Sequence, residues 1–138
     1  MDTPDVITQE LFARCAFPTG DLVGAQLRYA ADDPYAVLVT LHDEVGTSHE
    51  VARTLLAQAI TGATGTGDVR AWPMVDEHGR SLVVLHLRNS DREVVLELLT
   101  TQLDRFLGRT LALVPCGTES EHVDVDAVVA QLLSSGAA

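Results

Sequence analysis

TGTGDVRAWP, which runs from Thr64 to Pro73, bears on whether this chain is an enzyme at all. It holds two glycines, an acid, a base and the chain's single tryptophan, so it suggests either a phosphate-binding loop or a turn into a strand. A Walker-type phosphate loop has a lysine followed by Ser or Thr after its glycines, and a helix beyond it. Here there is no lysine, Asp68 would repel a phosphate, and the following residues have strand character. We interpret the stretch as a glycine-assisted connection from a helix into a strand.

The predicted strand carries the candidate partner-binding residues. Asp68, Arg70 and Trp72 share one parity, and the alternate positions are apolar, which is typical of a half-buried strand. Pro73 has no amide hydrogen, so the strand should end there, bulge there or lie at a sheet edge. The first interpretation of Trp72 is a core residue. The second is an anchor in a protein interface, because tryptophan is enriched in interfaces.

Upstream of this stretch, the pattern predicts antiparallel strands followed by a helix. Apolar residues recur with period two, and Pro and Gly interrupt the pattern at short links that favour antiparallel neighbours. Helix formers dominate just before the glycines, and Gly62 gives that helix a stop. The predicted elements are strands at 6–16, 23–30 and 36–42, an open assignment at 45–51, and a helix at 53–60.

Downstream, the pattern changes from strands to helices. Residues 69–75 and 82–88 are predicted to form a hairpin, and 94–98 is either a further strand or the start of a helix. A helix is predicted from Thr100 to about Leu113, and a last helix is capped by Asp124 or Asp126. The first of these helices has one apolar face, formed by Leu103, Phe106, Leu107 and Leu111. The predicted fold class is therefore α+β, mainly an antiparallel sheet with C-terminal helices.

Length and charge restrict the function. The chain has 138 residues, 46% of them hydrophobic, which predicts a single domain over 1–138 with flexible ends at 1–5 and 135–138. The net charge of −11 argues against nucleic acid and anionic membranes and favours a basic partner. No apolar run reaches the roughly 18 residues of a membrane span, and no signal peptide is recognisable. We expect a cytoplasmic protein without direct membrane insertion.

The residue types of catalysis and metal binding are present without their usual arrangements. The five histidines form no HExxH motif, and no Gly-x-Ser-x-Gly elbow is found. Cys15 and Cys116 are interpreted as unpaired thiols, since they are too few for a metal site or a disulfide scaffold of this length. We therefore expect no enzyme, no cofactor and no metal.

Several blocks of the sequence resemble a known family, the SsgA-like proteins of sporulating actinomycetes. The blocks occur in the family's order and together span nearly the whole chain. They are LRYAADDPYAVLVTLH (27–42), ARTLLAQAI (52–60), TGTGDVRAWP (64–73), LDRFLGRT (103–110) and VPCGTESEHVDVD (114–126).

This resemblance implies a function that the composition cannot supply. Proteins of this family are non-enzymatic regulators of cell division, and some help to recruit the tubulin-like GTPase FtsZ to future sporulation septa and support its assembly. The resemblance also implies a β-rich fold like that of the whirly and mitochondrial guide-RNA-binding proteins, and a homotrimer. The expected partners are therefore FtsZ, other division proteins and further copies of the chain, at the division septum.

Two differences from the family pattern leave alternatives open. Residues 48–51 read SHEV and lack the aromatic residues often found there, and Cys116 stands where a proline is common. A paralogue with a role in cell-wall remodelling is one alternative. A single-stranded nucleic-acid module, suggested only by the fold relatives, is another, although it would need a basic groove with stacking aromatics. A small-molecule enzyme or sensor is the third, and a deep pocket with convergent polar groups would support it.

Overall fold

The computed structural model describes residues 5–123, in which eight strands and two α-helices form one domain. In chain order the elements are β1 Val6–Phe17, β2 Leu22–Ala30, β3 Ala36–Leu41, β4 Ser48–Ala52, α1 Arg53–Ala59, β5 Thr64–Thr66, β6 Val69–Val75, β7 Ser81–Arg88, β8 Glu93–Leu99, α2 Thr100–Leu113 and a short 3₁₀ helix Glu119–His122. The predicted α+β fold with a mainly antiparallel sheet is confirmed.

The sheet consists of two antiparallel meanders joined through their first and last strands. The strand order is β4-β3-β2-β1-β8-β7-β6-β5, so β1–β4 form one half and β5–β8 the other. The halves meet where the end of β1 pairs with β8, at Arg14–Glu97, Cys15–Leu96 and Phe17–Val95. Helix α1 contacts β4 at one end of this order and β5 and β6 at the other. The sheet must therefore curl around the helices.

The core lies between the inner face of the sheet and the helices. Alternate residues of most strands point into it, as the period-two pattern predicts. Helix α2 contributes Leu103, Phe106, Leu107 and Thr110, four positions spaced by three, one and three residues. Leu111, which the sequence placed on this apolar face, is instead 40% exposed. Thr110 faces the core in place of Leu111 because it continues the helical spacing of the buried positions of α2. The Thr110 hydroxyl donates to the Leu107 carbonyl.

A buried arginine fixes the start of α1 to the end of α2. Arg53 is 3% exposed, and its guanidinium donates to the carbonyl oxygens of Thr110 and Val114 and to Glu119 Oε1, over 3.2, 2.7 and 2.8 Å. It also lies 5.0 Å from the centre of the Tyr29 ring. The planar guanidinium suits this set of acceptors, which a lysine could not reach together.

The opening stretch forms a strand and a tight turn. Thr64–Thr66 is β5, which pairs with the start of β6, so the predicted plain connection is wrong in this detail. Gly67 and Asp68 are the central residues of the turn, and only Gly67 has a positive φ, of 68°. This pattern is that of a type II′ turn, which joins antiparallel strands without a ligand. Its backbone forms a hairpin instead of a phosphate loop that opens a helix.

The structure decides the open assignments. Ser48–Ala52 and Glu93–Leu99 are strands, and the predicted 69–75 with 82–88 hairpin is confirmed. Strand β5 pairs with β6 only as far as Ala71, and Pro73 lies further along β6. Its missing amide hydrogen therefore falls at a sheet edge. Cys15 is buried and Cys116 exposed, and both thiols are free. The predicted flexible ends and last helix lie outside the described residues, except for Asp5.

Candidate partner-binding face

The sequence-predicted candidates lie on or beside the outer face of β6, which points away from the helices. Arg70 is exposed and Trp72 half-buried, whereas Ala71 between them is fully buried in the core. Trp72 is not part of the core cluster, so its first interpretation as a core residue is wrong. The reason is the register, because Ala71 and Val69 take the inward parity. Asp68 lies in the β5–β6 turn.

Trp72 belongs to a row of side chains that crosses the outer face. It pairs with Val84 of β7, which pairs with Glu97 of β8, which in turn pairs with Arg14 of β1. Val84 is only 3% exposed, although it lies outside the core cluster. Val84 is therefore covered on this face, where Trp72 lies directly opposite it on the neighbouring strand.

Beside Trp72, Arg70 is fixed by a hydrogen-bonded chain. The Arg70 guanidinium donates to His86 Nδ1 over 2.8 Å, and His86 Nε2 lies 2.7 Å from Glu93 Oε1. Since a guanidinium can only donate, Nδ1 must be the acceptor, and the imidazole proton sits on Nε2 and is donated to Glu93. The chain of hydrogen bonds therefore holds Arg70 in place. We name Arg70, Trp72, Val84, His86 and Glu93 the Trp72 face.

Asp68 is close in sequence but has a different partner. Its carboxylate accepts from Arg88 Nε over 3.3 Å, and the Arg88 amide donates to its carbonyl over 2.8 Å. Both side chains are more than half exposed, so this pair contributes at most about 1 kcal/mol. The structure thus brings Arg70 and Trp72 together, and it places Asp68 at the end of the hairpin as part of the turn.

Sequence reasoning missed Val84, His86 and Glu93. The signal that could have found them was the predicted hairpin itself, since its register sets Arg70 opposite His86 and Trp72 opposite Val84. His86 was read as one of five scattered histidines. Only the paired strand shows that its ring connects an arginine to a carboxylate.

A second polar cluster ties the two halves of the sheet together at their loops. Arg92, between β7 and β8, donates to Asp43 Oδ2 and to Thr47 Oγ1, between β3 and β4. The Arg92 hydrogen bond, assisted by backbone donors, holds the pKa of the Asp43 carboxyl below its usual value. Burial, with the Arg92 charge nearby, lowers the pKa of His49 and favours its neutral form. This cluster is structural, because each charge has its partner.

The described residues contain neither a metal-ligand cluster nor a membrane-spanning helix. Between Asp5 and Val123 no three His, Cys, Asp or Glu side chains are grouped as metal ligands. Neither α-helix in this range is long and apolar enough to cross a bilayer. What the Trp72 face presents is an aromatic surface beside a fixed guanidinium, the two side-chain types most enriched in the centres of protein interfaces.

The fold is a single domain with a curled antiparallel sheet and two α-helices, and sequence comparison places it in a family. Residues 23–119 match the family described as Streptomyces sporulation and cell division protein, SsgA. The sporulation-specific cell division protein SsgB of Streptomyces coelicolor is 43% identical over 114 residues, 81% of this chain and 82% of that protein. SsgB of Salinispora tropica is 39% identical over 137 residues, 95% of each chain.

Solved structures agree with the sequence matches. A structure of SsgB, from work on longitudinal cell division during sporulation of Streptomyces coelicolor, superimposes with a TM-score of 0.79 at 39% identity, covering 88% of this chain and 98% of that one. An SsgA-like sporulation-specific cell division protein from Thermobifida fusca gives 0.78 at 34% identity, covering 95% and 98%. The chain belongs to the SsgA family.

Proposed function

We propose that this chain acts in sporulation-specific cell division, through contacts with other division proteins and without catalysis. The observation that carries the proposal is its similarity, over almost its whole length, to proteins named sporulation-specific cell division protein SsgB. The described residues support a role without catalysis, since the charged side chains of their polar clusters are held in ion pairs and hydrogen-bond chains. The place of action is the cytoplasmic side of the forming septum.

The partner in this proposal is FtsZ, which the chain recruits to septum sites or helps to assemble. The Trp72 face supports a contact of this kind. Trp72 offers apolar area that is already half-desolvated, and Arg70 is held by His86 before a partner arrives, so little side-chain entropy is lost on binding. Asp68 lies at the edge of the Trp72 face, and in this proposal it contributes to partner binding from the β5–β6 turn.

Co-sedimentation with polymerising FtsZ tests the proposal. The unaltered chain should pellet with FtsZ filaments and change the amount of filament formed. The Trp72→Ala and Arg70→Ala variants should each bind the filaments at least fivefold more weakly. Tyr35→Ala is the matched control, because Tyr35 is an aromatic residue that is 55% exposed elsewhere on the surface. No co-sedimentation of the unaltered chain at low salt would contradict the FtsZ part of the proposal.

The arrangement of arginines argues against the nucleic-acid alternative. Arg14, Arg88 and Arg92 are each paired with a carboxylate, and the net charge is −11. These ion pairs and the net charge argue against the basic groove that single strands need. A labelled oligo-dT at physiological salt should show no saturable binding. The cell-wall paralogue makes a different prediction, namely division-independent defects in wall growth when the gene is deleted.

A further inference from the structure

A groove opens where the two halves of the sheet separate. Beyond the Arg14–Glu97 pair, β8 ends at Leu99 and enters α2, whereas β1 has no β8 partner from Val6 to Ala13. The end of β6 and the turn to β7 form the opposite wall. The groove has a volume of about 1110 Å³.

The groove exposes apolar side chains from both walls. Phe12 of β1, Leu22 of β2 and Val75 of β6 line it, and they are 72%, 74% and 65% exposed. Phe12 is uncovered because its partner across the strand pair is Gly24, where a Cβ would meet the His42 ring at 3.5 Å. Leu82, only 7% exposed, lies in the floor. Exposed apolar surface gathered in one place marks an interaction site.

The rim of the groove is acidic. Both of its arginines are already engaged, Arg14 with Glu97 at 3.7 Å and Arg80 with Asp76 at 2.8 Å. Glu10 contacts His42 and accepts a hydrogen bond from the neutral Gln26 amide, Glu77 contacts His78, and neither carboxylate has an arginine partner. The Glu77 side chain is 88% exposed. The groove therefore has an uncompensated negative charge, and the chain as a whole carries −11.

Charge decides which occupant fits. A second copy would bring the same net charge of −11 and no lysine at all, so it would be repelled from this rim. The groove is open and exceeds the volume of most small-molecule sites, which suits a peptide. We propose that it binds a segment of a partner protein in which apolar side chains are flanked by Lys or Arg. This inference is independent of the Trp72 face and of FtsZ.

Fluorescence anisotropy with three labelled ten-residue peptides tests the proposal. One alternates Leu and Lys, one Leu and Glu, and one Ser and Lys. The Leu/Lys peptide should bind saturably, and the other two at least tenfold more weakly. Phe12→Ser/Leu22→Ser should lower the affinity for Leu/Lys at least tenfold, and Glu77→Lys about threefold. Tyr35→Ser/Val45→Ser is the control, since these residues are 55% and 73% exposed and lie outside the groove.

Each of the following results would overturn the proposal. Equal binding by the Phe12→Ser/Leu22→Ser variant would show mere attraction to an acidic surface, as would equal affinity for the Ser/Lys peptide. A changed oligomeric mass of this variant with unchanged peptide affinity would assign the groove to contacts between copies. If the double variant does not fold, NMR titration of the unaltered chain with the Leu/Lys peptide decides the question. Changes in backbone amide chemical shift centred on residues 10–14, 22–24 and 75–80 support the groove, and changes elsewhere refute it.

Discussion

At the scale of single residues, Glu119 is the acidic end of the buried Arg53 cluster. Its own backbone amide, the Arg53 guanidinium and the Gly117 amide donate to the carboxylate and hold its pKa below the ordinary value of 4.5. A carboxyl whose folded pKa is depressed stabilises the fold above its unfolded pKa. That stability is lost as the pH falls from 4.5 through the folded value.

Glu119→Gln should therefore lower the free energy of unfolding at pH 7 and flatten its decline below pH 4.5. Urea denaturation followed by Trp72 fluorescence between pH 3 and 7 measures this. Glu121→Gln is the matched control on the same short helix, because Glu121 is exposed. Equal acid sensitivity of Glu119→Gln and the unaltered chain would contradict the role of the cluster.

The two glycines of the β5–β6 hairpin differ in what their backbone demands. A Cβ at Gly65 would lie 2.3 Å from the Val69 carbonyl oxygen, and its φ is 87°. Gly67 has a similar positive φ of 68° but open space around it. Gly65 is thus constrained by conformation and by close approach, and Gly67 by conformation alone.

Gly65→Ala should lower the free energy of unfolding by about 3 kcal/mol, and Gly67→Ala by about 1 kcal/mol, since only the first adds a backbone clash to the strain of a positive φ. Equilibrium urea unfolding of the two variants measures both values. Equal losses would show that the close contact at Gly65 relaxes freely. Saturable nucleotide binding by the unaltered hairpin would overturn its interpretation as a structural turn.

At the scale of elements, α2 depends on its buried stripe. Phe106 is fully buried, and Leu111 on the same helix is 40% exposed. Phe106→Ala should lower the free energy of unfolding by about 3–5 kcal/mol. Leu111→Ala should change it by less than about 0.5 kcal/mol. The pair controls for helix propensity, because alanine is introduced in both. A large loss at Leu111 would place it in an apolar contact with another surface.

Most elements could be predicted because each carries an apolar row of the right period. Strand β5 was missed since Thr64, Gly65 and Thr66 offer no apolar side chain, and its pairing depends on β6. The side of the sheet taken by Trp72 could not be predicted either. Both parities of β7 are buried, so the pattern does not tell the inner face from the outer one.

The candidate site shows the same limit. Arg70 and Trp72 were found from residue type and parity, and the structure places them side by side on one face. Their partners His86 and Glu93 come from two further strands, and a one-residue change in register would remove both contacts. The groove at Phe12 needs the separation of β1 from β8, which no local pattern encodes.

At the scale of the whole molecule, the expected assembly is a homotrimer. The curled sheet has two end strands, β4 and β5, and unpaired edges favour association. A closed ring satisfies them without open-ended growth. Light scattering at micromolar concentration and moderate salt should give three times the mass of one chain. The mass of a single chain would contradict the trimer.

The symmetric strand order has a consequence for how the chain can be divided. Each half is a four-stranded meander that runs directly into a helix, and each helix also touches the other half. The halves therefore relate to each other as two subunits of a dimer do, and within residues 5–123 the polypeptide crosses from one half to the other once, near Gly62. Fragments 1–62 and 63–138, expressed together, should reassemble into a complex whose circular dichroism matches the intact chain. Each fragment alone should remain unfolded, because core residues that pack against the other half would face water. The covalent link near Gly62 then serves to keep the two halves at a high effective concentration, as a tether does in a linked dimer. The fold itself consists of two pieces.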